Sequence, residues 1–574
     1  MKNRKKLTVW LPVIIAASIA AGIFIGNYYL TLSNGKPRGY YSGNKVNAVL
    51  NIINQQYVDT VDMAQLIEGA IPKILSELDP HSVYIPASDV ALANEDLEGS
   101  FSGIGVSFNM QTDTILVISV ISGGPAEKAG LLPFDRIITI NDSIFSGKEI
   151  SQAKIMRTLR GEKNSTVNLG VKRGESDELL QFTVTRGDVP VHSVDVSYEI
   201  NKGIGYIKTS KFARTTYGEF ITAIAKLKLL GCNSFIIDLR GNSGGYMDAA
   251  ISMINEFMPE GRMIVYTEGK AFPRSEVFAN GSGTCKNDPV ILLTDETSAS
   301  ASEIFAGAIQ DNDRGLIIGR RTYGKGLVQT PITMNDGSEM RLTIARYYTP
   351  SGRSIQKVYE LGKNDEYDMD IYNRYMHGEF DTADSIKLDE DLQYETVGGR
   401  TVYGGGGVMP DIFIPRDTSG MTSYYTSVIN SGTLYLYALE YSDRNRDNLS
   451  RFGTWQELYD HLKTQPILYD FTNFAAAKGI RKRMSLIQIS GPLIENQLHA
   501  YIVRNFFDED GFYPIFQKED ITLQKAVQIL KEGKSLPTPE FIQTATDNGN
   551  LQSEAGPTKR YGLSKERIFN DYIV

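Results

Sequence analysis

The chain has 574 residues, of which 41% are hydrophobic and 22% charged, and its formal net charge is −9. This length exceeds what one hydrophobic core normally serves, so the sequence predicts several domains. The ordinary composition excludes a collagen-like or wholly disordered chain, and the negative charge argues against a dedicated nucleic-acid binder, which needs a concentrated basic surface.

The N-terminus joins a basic cluster to an apolar run. Four lysine and arginine residues within the first six positions precede an uncharged stretch, residues 8–30, whose length suits one membrane crossing. With the positive charge on its N-terminal side, the positive-inside rule exports everything after about Ser33. A cleaved signal peptide is the alternative, but its apolar region is usually shorter. We expect residues 1–35 to form an uncleaved single-pass anchor in the cell inner membrane, with the remainder in the periplasm or another extracytoplasmic space.

Cysteine and histidine usage limits the kinds of site. The two cysteines, Cys232 and Cys285, exclude a disulfide-dense scaffold and a Cys-rich zinc site. Both are interpreted as buried thiols, although an exported compartment permits a disulfide between them. The five histidines lack the HExxH spacing, which argues against a metallohydrolase. We expect neither a metal nor a cofactor.

Apolar periodicity predicts the elements in chain order. Helical spacing predicts two packed helices between about residues 46 and 78, ended by Pro80, within an N-terminal helical segment, 40–97. Short β-branched runs between Gly and Asp turns predict a β-rich domain over 98–187. Strands alternating with helices predict an α/β domain with a largely parallel sheet over 188–418, where function collects at the carboxyl ends of the strands.

Two later segments differ in character. The stretch 357–394 is polar and strongly acidic, and is expected to be a solvated insertion or long loop. Residues 419–574 carry apolar clusters at helical spacing, which predicts a mostly helical C-terminal domain with a loosely ordered tail. The predicted fold class is therefore multidomain α/β, with a β-rich domain between the N-terminal helices and the α/β core.

Two glycine-rich motifs characterise the β-rich domain. The first is Ser102-Gly103-Ile104-Gly105-Val106, and the second, Gly124 to Leu131, is followed by Asp135-Arg136-Ile137. Together they resemble a PDZ domain, in which converging backbone N–H groups of the first motif receive a peptide's terminal carboxylate. The resemblance implies that Gly103, Ile104, Gly105 and Val106 bind that carboxylate while the peptide adds a strand to a sheet edge.

Ser300 is a candidate nucleophile. It lies in Ser298-Ala299-Ser300-Ala301-Ser302-Glu303, between an apolar strand that begins near Val290 and a helical run. A strand-to-helix junction offers free N–H groups and the positive end of the helix to a developing oxyanion, the setting that a nucleophilic serine requires. The alternative is that these serines only cap the helix.

A serine nucleophile needs a base, and Lys325 is the candidate. No histidine has a local setting that indicates a triad, whereas Lys325 lies in Gly324-Lys325-Gly326 between two extended runs. Lysine acts as a base only when neutral, and burial favours the neutral form by lowering the pKa. For an isolated motif of this kind, a solvated loop lysine is the alternative. Gln329, on the strand that leaves the loop, is predicted to orient Lys325 through its amide.

Backbone donors for an oxyanion are expected from two places. One is the N–H of Ala301, and the other is the N–H of Gly244 or Gly245, in a Gly-rich turn at the end of a buried strand. Phosphate binding is the alternative use of such a turn. It is not supported, because the turn lacks both the Lys-Ser/Thr ending of a P-loop and the Rossmann glycine spacing.

The order of these motifs resembles the carboxyl-terminal processing peptidase family from about residue 46 to residue 415. The resemblance assigns the nucleophile to Ser300, the general base to Lys325 and the supporting amide to Gln329. Asp311 matches an acidic position of some members and is interpreted as structural. The motif Leu78-Asp79-Pro80-His81-Ser82 also resembles the family, whereas the region after Thr418 lies outside the shared pattern.

The resemblance implies an α/β serine-protease core with an inserted PDZ domain. Such an enzyme would select exported proteins by their apolar C-terminal residues and hydrolyse peptide bonds through an acyl-enzyme, without a cofactor. It also implies an oligomer, and a PDZ domain that gates the site with Gly99, Gly103 and Gly187 as pivots. Two alternatives are a catalytically inactive PDZ scaffold that binds protein C-termini and a small-ligand carrier. The complete set of Ser300, Lys325 and Gln329 argues against both.

Overall fold

The computed structural model describes residues 13, 15–25, 45–111, 114–121, 123–145, 147, 151–174 and 178–534. Residues 15–25 are helical, but within these described ranges no helix is long and apolar enough to cross a membrane. The anchor predicted over 1–35 lies partly outside the described residues, and the predicted loosely ordered tail lies outside them from residue 535 onward.

Residues up to Leu75 form a unit of their own. It contains α1 (Lys45–Gln56) and α2 (Met63–Leu75), so both predicted helices are present. The second helix ends at Leu75 rather than at Pro80. A turn follows this end, in which Asp79 accepts the N–H groups of His81 and Ser82.

A β-rich domain is inserted between two strands that pair with each other. The elements of this part are β1 (Val83–Ile85), α3 (Ala87–Glu98), β2 (Ser100–Gly103), β3 (Val106–Gln111), β4 (Thr114–Val120), α4 (Pro125–Ala129), β5 (Arg136–Ile140), β6 (Ser143–Ile144), α5 (Gln152–Leu159), β7 (Thr166–Lys172), β8 (Leu179–Thr185) and β9 (Gly187–Pro190). β2 and β9 form a two-stranded antiparallel ribbon at the base of the domain, and β3 is the first strand of its antiparallel sheet, in the order β3-β4-β5-β7-β8 with β6 paired to β5. Alternate side chains of these strands bury a separate core that includes Ile115, Val117 and Val167.

The α/β core follows. Its main elements are β10 (Val194–Asn201), β11 (Ile204–Thr209), α6 (Thr216–Leu229), β12 (Ser234–Asp238), α7 (Met247–Asn255), β13 (Met263–Glu268), β14 (Ser275–Phe278), β15 (Val290–Thr294), α8 (Ala301–Asp311), β16 (Leu316–Gly319), β17 (Leu327–Thr333), β18 (Glu339–Tyr348), α9 (Asn364–Asp368), α10 (Asp370–Met376), β19 (Gln393–Glu395), β20 (Thr401–Tyr403) and β21 (Ile412–Phe413), with short 3-10 helices at Ala383–Ser385 and Glu390–Leu392.

Two sheets build the core. The first has the order β10-β11-β12-β15-β16-β21 and is parallel except for β10, as the alternation of strands and helices predicts. Its strands are apolar on both faces because both faces are covered. The second sheet is antiparallel, in the order β1-β18-β13-β14 with β17 paired to β18. It therefore uses a strand from before the β-rich domain together with strands from after it.

The acidic stretch 357–394 is not simply a solvated insertion. Helices α9 and α10 bury Tyr367 and Arg374, which are 3% and 4% exposed. Arg374 donates to the carbonyls of Arg321 and Thr322, immediately before the Gly324-Lys325-Gly326 loop. The sequence does not indicate this buried face, since carboxylates are frequent in the stretch and few of its buried residues are aliphatic. The stretch packs against the segment that precedes the loop and supports it through Arg374.

The C-terminal region is helical, as predicted, and packs around a core of its own that includes Val428, Phe471 and Leu498. Its last helix, α17 (Ile521–Lys531), packs elsewhere: Leu523, Ala526 and Ile529 cover the second face of the parallel sheet. Its helices are α11 (Ser423–Asn430), α12 (Thr433–Arg444), α13 (Arg446–Leu449), α14 (Trp455–Leu462), α15 (Ile467–Ala477), α16 (Met484–Phe516), with a kink at Phe507 and Asp508, and α17 (Ile521–Lys531).

The C-terminal region also contacts the β-rich domain. Leu439 of α12 packs against Leu116 and Phe134 in a small buried cluster. Arg446 donates to the carbonyl of Pro133, and its guanidinium lies 4.9 Å from the centre of the Phe134 ring. The C-terminal helices therefore touch both the parallel sheet and the β-rich domain.

Candidate active site

Ser300 lies where the sequence predicts it, between a parallel strand and a helix. It follows β15 and is the N-cap residue of α8. Its backbone has φ 55° and ψ −113°, an unfavourable conformation for a residue with a side chain. Such a conformation persists only where neighbouring groups hold it, and it is found preferentially at functional sites.

Glu303 joins the Ser300 segment to the Lys325 loop. Its Oε2 accepts the N–H of Ser300 at 2.9 Å and that of Lys325 at 2.8 Å. Its Oε1 accepts the Thr322 hydroxyl at 2.5 Å and the Gly324 N–H at 2.7 Å. The backbone nitrogens of residues 300 and 325 are thus no further apart than the sum of two hydrogen bonds. The carboxylate is fully buried, and burial raises the pKa of Glu303 to about 7 against the opposing effect of these four donors.

Tyr347 joins the same two segments through their carbonyl groups. Its hydroxyl lies 3.0 Å from the Ser300 carbonyl oxygen and 2.6 Å from the Lys325 carbonyl oxygen, and shares its one proton between the two. Tyr347 is 1% exposed and comes from β18, far along the chain. Neither Glu303 nor Tyr347 is among the site residues predicted from the sequence. Glu303 carries a detectable signal, since a Glu three residues after an N-cap serine is the capping-box pattern, whereas nothing local distinguishes Tyr347.

The environment of Lys325 favours a neutral amine. Burial lowers the pKa of Lys325, while the carboxylates of Glu303 and Asp79 raise it and Arg341 lowers it further, with a net decrease. Among the described residues, no hydrogen bond joins the Lys325 amine to the Ser300 hydroxyl. The structure therefore brings the two backbones together, and catalytic hydrogen bonds often tighten only when substrate is bound.

Gln329 contacts a different group from the one predicted. Its Nε2 donates to the Thr343 hydroxyl at 3.1 Å, and that hydroxyl donates to Asp79 Oδ1 at 2.8 Å. The amide is therefore fixed by a neighbouring strand rather than by Lys325 itself. Its predicted role in orienting Lys325 stays a prediction.

The Gly-rich turn packs directly against Ser300. The Asn242 carbonyl accepts the Ala299 N–H at 3.0 Å and the Ser302 hydroxyl at 2.9 Å. Gly244 has φ 106°, and a Cβ there would lie 2.7 Å from the Ser300 Cβ and 3.1 Å from the Ala301 nitrogen, so only glycine fits.

The three predicted oxyanion donors differ in their hydrogen bonding. The Gly244 N–H donates to Asn242 Oδ1 at 2.8 Å. The N–H groups of Gly245 and Ala301 meet no acceptor among the residues that the structure describes. Of the predicted set, those two are available to a bound carbonyl.

The predicted carboxylate loop lies at the end of β2 and the start of β3. Gly105 has φ 79°, the left-handed region that favours glycine, and Ile104 is 3% exposed. The carbonyls of Ile104 and Gly105 accept the N–H groups of Ala126 and Ile121, at 2.7 and 3.0 Å. The loop is thereby fixed beside β3, the edge strand of its sheet, with Val106 as the first residue of that strand.

Other residues singled out from the sequence are structural in this fold. Asp311 is fully buried and forms an ion pair with Arg353 at 2.7 Å, as its structural interpretation requires. Cys232 and Cys285 are free, buried thiols.

Comparisons with known families match four parts of the chain. Peptidase family S41 matches residues 203–363, which include Ser300, Lys325 and Gln329. A PDZ domain matches 102–194, and the N-terminal domain of the activating protease CtpB matches 33–88. A family of unknown function matches 424–508, within the C-terminal helices.

Three similar proteins are carboxy-terminal processing proteases. The carboxy-terminal processing protease CtpB of Bacillus subtilis is 34% identical over 317 residues, 55% of this chain and just under two thirds of that protein, 65%. CtpA of the same organism is 33% identical over 358 residues, 62% of this chain and 76% of that protein. The carboxy-terminal-processing protease of Bartonella bacilliformis is 34% identical over 348 residues, 59% and 79% of the two chains. The resemblance seen in the motifs is confirmed, and the chain belongs to the carboxy-terminal processing proteases of peptidase family S41.

Proposed function

We propose that this protein is a serine endopeptidase that works through an acyl-enzyme on Ser300, with Lys325 as the general base. The observation that carries the proposal is the shared buried carboxylate of Glu303, which accepts the N–H groups of both residues. Because the Tyr347 hydroxyl also bonds to the carbonyls of both residues, the Ser300 and Lys325 backbones are fixed relative to each other. Preorganisation of this kind favours a reaction that needs both side chains at one substrate carbonyl.

The reaction proceeds in two halves. The neutral Lys325 amine takes the Ser300 hydroxyl proton as Oγ bonds to the substrate carbonyl carbon, and the carbonyl electron pair moves onto oxygen. Collapse of this intermediate breaks the C–N bond, and the Lys325 ammonium gives its proton to the leaving amine. Water then attacks the ester with Lys325 again as base, which releases a carboxylate and restores Ser300.

The negative oxygen of the intermediate requires backbone donors. We assign this role to the N–H groups of Gly245 and Ala301, since that of Gly244 is already bonded to Asn242 Oδ1. Gly244 contributes by its lack of a side chain, which lets the turn approach Ser300. Gln329 is assigned an indirect role, because its amide donates to the Thr343 hydroxyl rather than to Lys325.

Substrate selection is assigned to the PDZ domain. The edge position of β3 and the fixed loop from Gly103 to Val106 support binding of an extended peptide whose terminal carboxylate meets backbone N–H groups. The substrates would then be proteins that end in apolar residues, whose terminal side chain enters a pocket beside the loop.

The location of the enzyme is inferred from its sequence. The basic N-terminus followed by an uncharged stretch, 8–30, supports a single inner-membrane anchor with the catalytic part outside the cytoplasm. Fractionation tests this directly: alkaline carbonate extraction leaves an anchored chain in the membrane pellet, whereas recovery in the supernatant would contradict the anchor. Self-association is proposed only by analogy with the family.

The mechanism is tested with purified full-length protein and an unfolded protein substrate that ends in apolar residues. Ser300→Ala and Lys325→Ala should each lower the cleavage rate by at least about 1000-fold, since each removes a reacting group. Ser88→Ala and Lys363→Ala change exposed residues and serve as matched controls. Wild-type rates in either active-site variant would contradict the mechanism. Replacing the substrate's terminal residue by Asp should raise KM if the PDZ domain selects C-termini.

A further inference from the structure

Asp79 lies in a buried hydrogen-bond network that reaches Gln329, on the strand that leaves the Lys325 loop, and it has no role in the mechanism given above. Its Oδ2 accepts the Ser82 hydroxyl at 2.6 Å, and its Oδ1 accepts the N–H groups of His81 and Ser82 at 2.9 and 3.1 Å. The Thr343 hydroxyl donates to the same Oδ1 at 2.8 Å. Asp79 is 6% exposed, so this carboxylate is held in one place by four donors.

The network connects two strands to the start of the core. The Thr343 N–H donates to the Ser82 hydroxyl at 3.1 Å, and the Thr343 hydroxyl accepts from Gln329 at 3.1 Å. Thr343 therefore links Gln329 of β17 to Asp79 in a single chain of hydrogen bonds. The predicted third member of the catalytic set is held by this chain.

We propose that Asp79 is a positioning residue for the catalytic base: its fixed carboxylate balances the positive charge of Lys325, and Thr343 couples it to Gln329. The inference rests on the proposed role of Lys325. A lysine base must accept a proton from Ser300 and hold it until the leaving amine departs. A fixed anion beside a buried amine lets the protonated form persist for that interval without solvent.

Several charged groups act on this amine from different elements. Glu303 of α8 and Asp79 favour its charged form, and Arg341 of β18 opposes it. His81 also lies close, and burial together with Lys325 lowers the pKa of His81 to about 4, so this imidazole is neutral at neutral pH. Its Nε2 forms a hydrogen bond with the Tyr367 hydroxyl at 2.9 Å. Of these groups, Asp79 and Glu303 are the carboxyl groups whose negative charge favours the ammonium form of Lys325, and the pKa of about 7 leaves Glu303 only partly ionised at neutral pH.

Asp79→Asn tests the charge. Loss of the anion disfavours the ammonium form of Lys325, so the acid limb of the pH profile of kcat/KM should move to lower pH by about one unit. At a pH on that limb, the variant should retain up to about ten times more of its own maximal rate than wild type does. An acid limb that stays in place, or that moves to higher pH, would overturn the proposal. A purely structural role would lower the rate at every pH without moving the limb.

Thr343 supplies a test that does not depend on folding of the Asp79 variant. Thr343→Val replaces the hydroxyl by a methyl group of similar size and breaks the link between Gln329 and Asp79. The expected result is a fall of about tenfold in kcat with little change in KM, and recovery of most of the rate in Thr343→Ser. Equal kcat values in the Val variant and wild type would contradict the coupling.

The proposed mechanism and the role proposed for Asp79 can be contradicted separately. If Ser300→Ala or Lys325→Ala cleaves at the wild-type rate, the proposed mechanism itself is wrong. If both are inactive while Asp79→Asn keeps the wild-type acid limb and Thr343→Val keeps the wild-type kcat, only the role given to Asp79 is wrong.

Discussion

The junction of Ser300 with Lys325 and the attachment of the PDZ domain are built in opposite ways. At the junction, the fully buried Glu303 and Tyr347 connect the two segments through six hydrogen bonds and are 0% and 1% exposed. The PDZ domain is attached through the β2–β9 ribbon, through an ion pair of 2.5 Å between Arg160 and Glu95 of α3, and through a small contact with α12 and α13. The ion pair at this contact, between Arg136 and Asp443, spans 3.9 Å and is partly exposed.

The two sets of contacts differ in how strongly they resist movement. Buried polar groups are costly to leave unpaired, so each bond at the junction resists displacement. An exposed ion pair contributes only about 0–1 kcal/mol and is screened by salt. The contacts of the PDZ domain are therefore expected to yield before those of the junction, and gating of the site by this domain stays a prediction.

The largest expected effect comes from Glu303→Ala. It leaves three N–H groups and the Thr322 hydroxyl without their acceptor in a buried place. At about 1–3 kcal/mol for each unpaired group, the free energy of unfolding should fall by at least about 3 kcal/mol, and cleavage should cease. Denaturant unfolding and a peptidase assay measure both effects. Glu440→Ala, which removes a half-buried carboxylate paired with Arg444 on α12, is the control and should change stability by less than about 0.5 kcal/mol. An active, fully stable Glu303 variant would show that the junction is not rigid.

Tyr347→Phe removes one hydroxyl from the junction and tests how much that hydroxyl contributes to its rigidity. The carbonyls of Ser300 and Lys325 lose a shared donor, which should cost about 1–2 kcal/mol of stability and lower kcat by about tenfold. KM should change little, because Tyr347 is buried behind the two segments. Steady-state kinetics measures this, with Tyr469→Phe at an exposed position of α15 as the matched control. A change confined to KM would place the hydroxyl at the substrate rather than at the junction.

Arg446→Ala tests the contact between the C-terminal helices and the PDZ domain. The change removes the bond to the Pro133 carbonyl and the contact with the Phe134 ring, and should cost no more than about 1 kcal/mol. Amide exchange in residues 114–140 should become faster, while exchange around Ser300 stays as in wild type. Arg444→Ala, an exposed neighbour paired with Glu440, is the control. Identical exchange in the two variants would mean that this contact does not restrain the PDZ domain.

Much of the site was predictable from short spacings. Ser300 was expected at a strand-to-helix junction because apolar strand and helical periodicities meet there, and the structure has β15 and α8 on either side. The Gly-rich turn was expected beside it, since carboxyl ends of neighbouring parallel strands share one edge. Its internal bonding was not predictable, and the Gly244 N–H is already bonded to Asn242. Similarly, the acidity of 357–394 concealed the buried Tyr367 and Arg374.

The elements, the main domain types and the family follow from the amino-acid sequence, because they depend on periodicity and on motifs a few residues long. The residues that support Ser300 and Lys325 become apparent only in the folded chain. Tyr347 lies 47 residues from Ser300, and Thr343 lies 264 residues from Asp79. Contacts of such separation arise from strand pairing and sheet order, as when β1 and β17 both pair with β18. No local pattern encodes them, because a buried tyrosine or threonine in a strand has the same spacing whether it fills space or holds a catalytic loop.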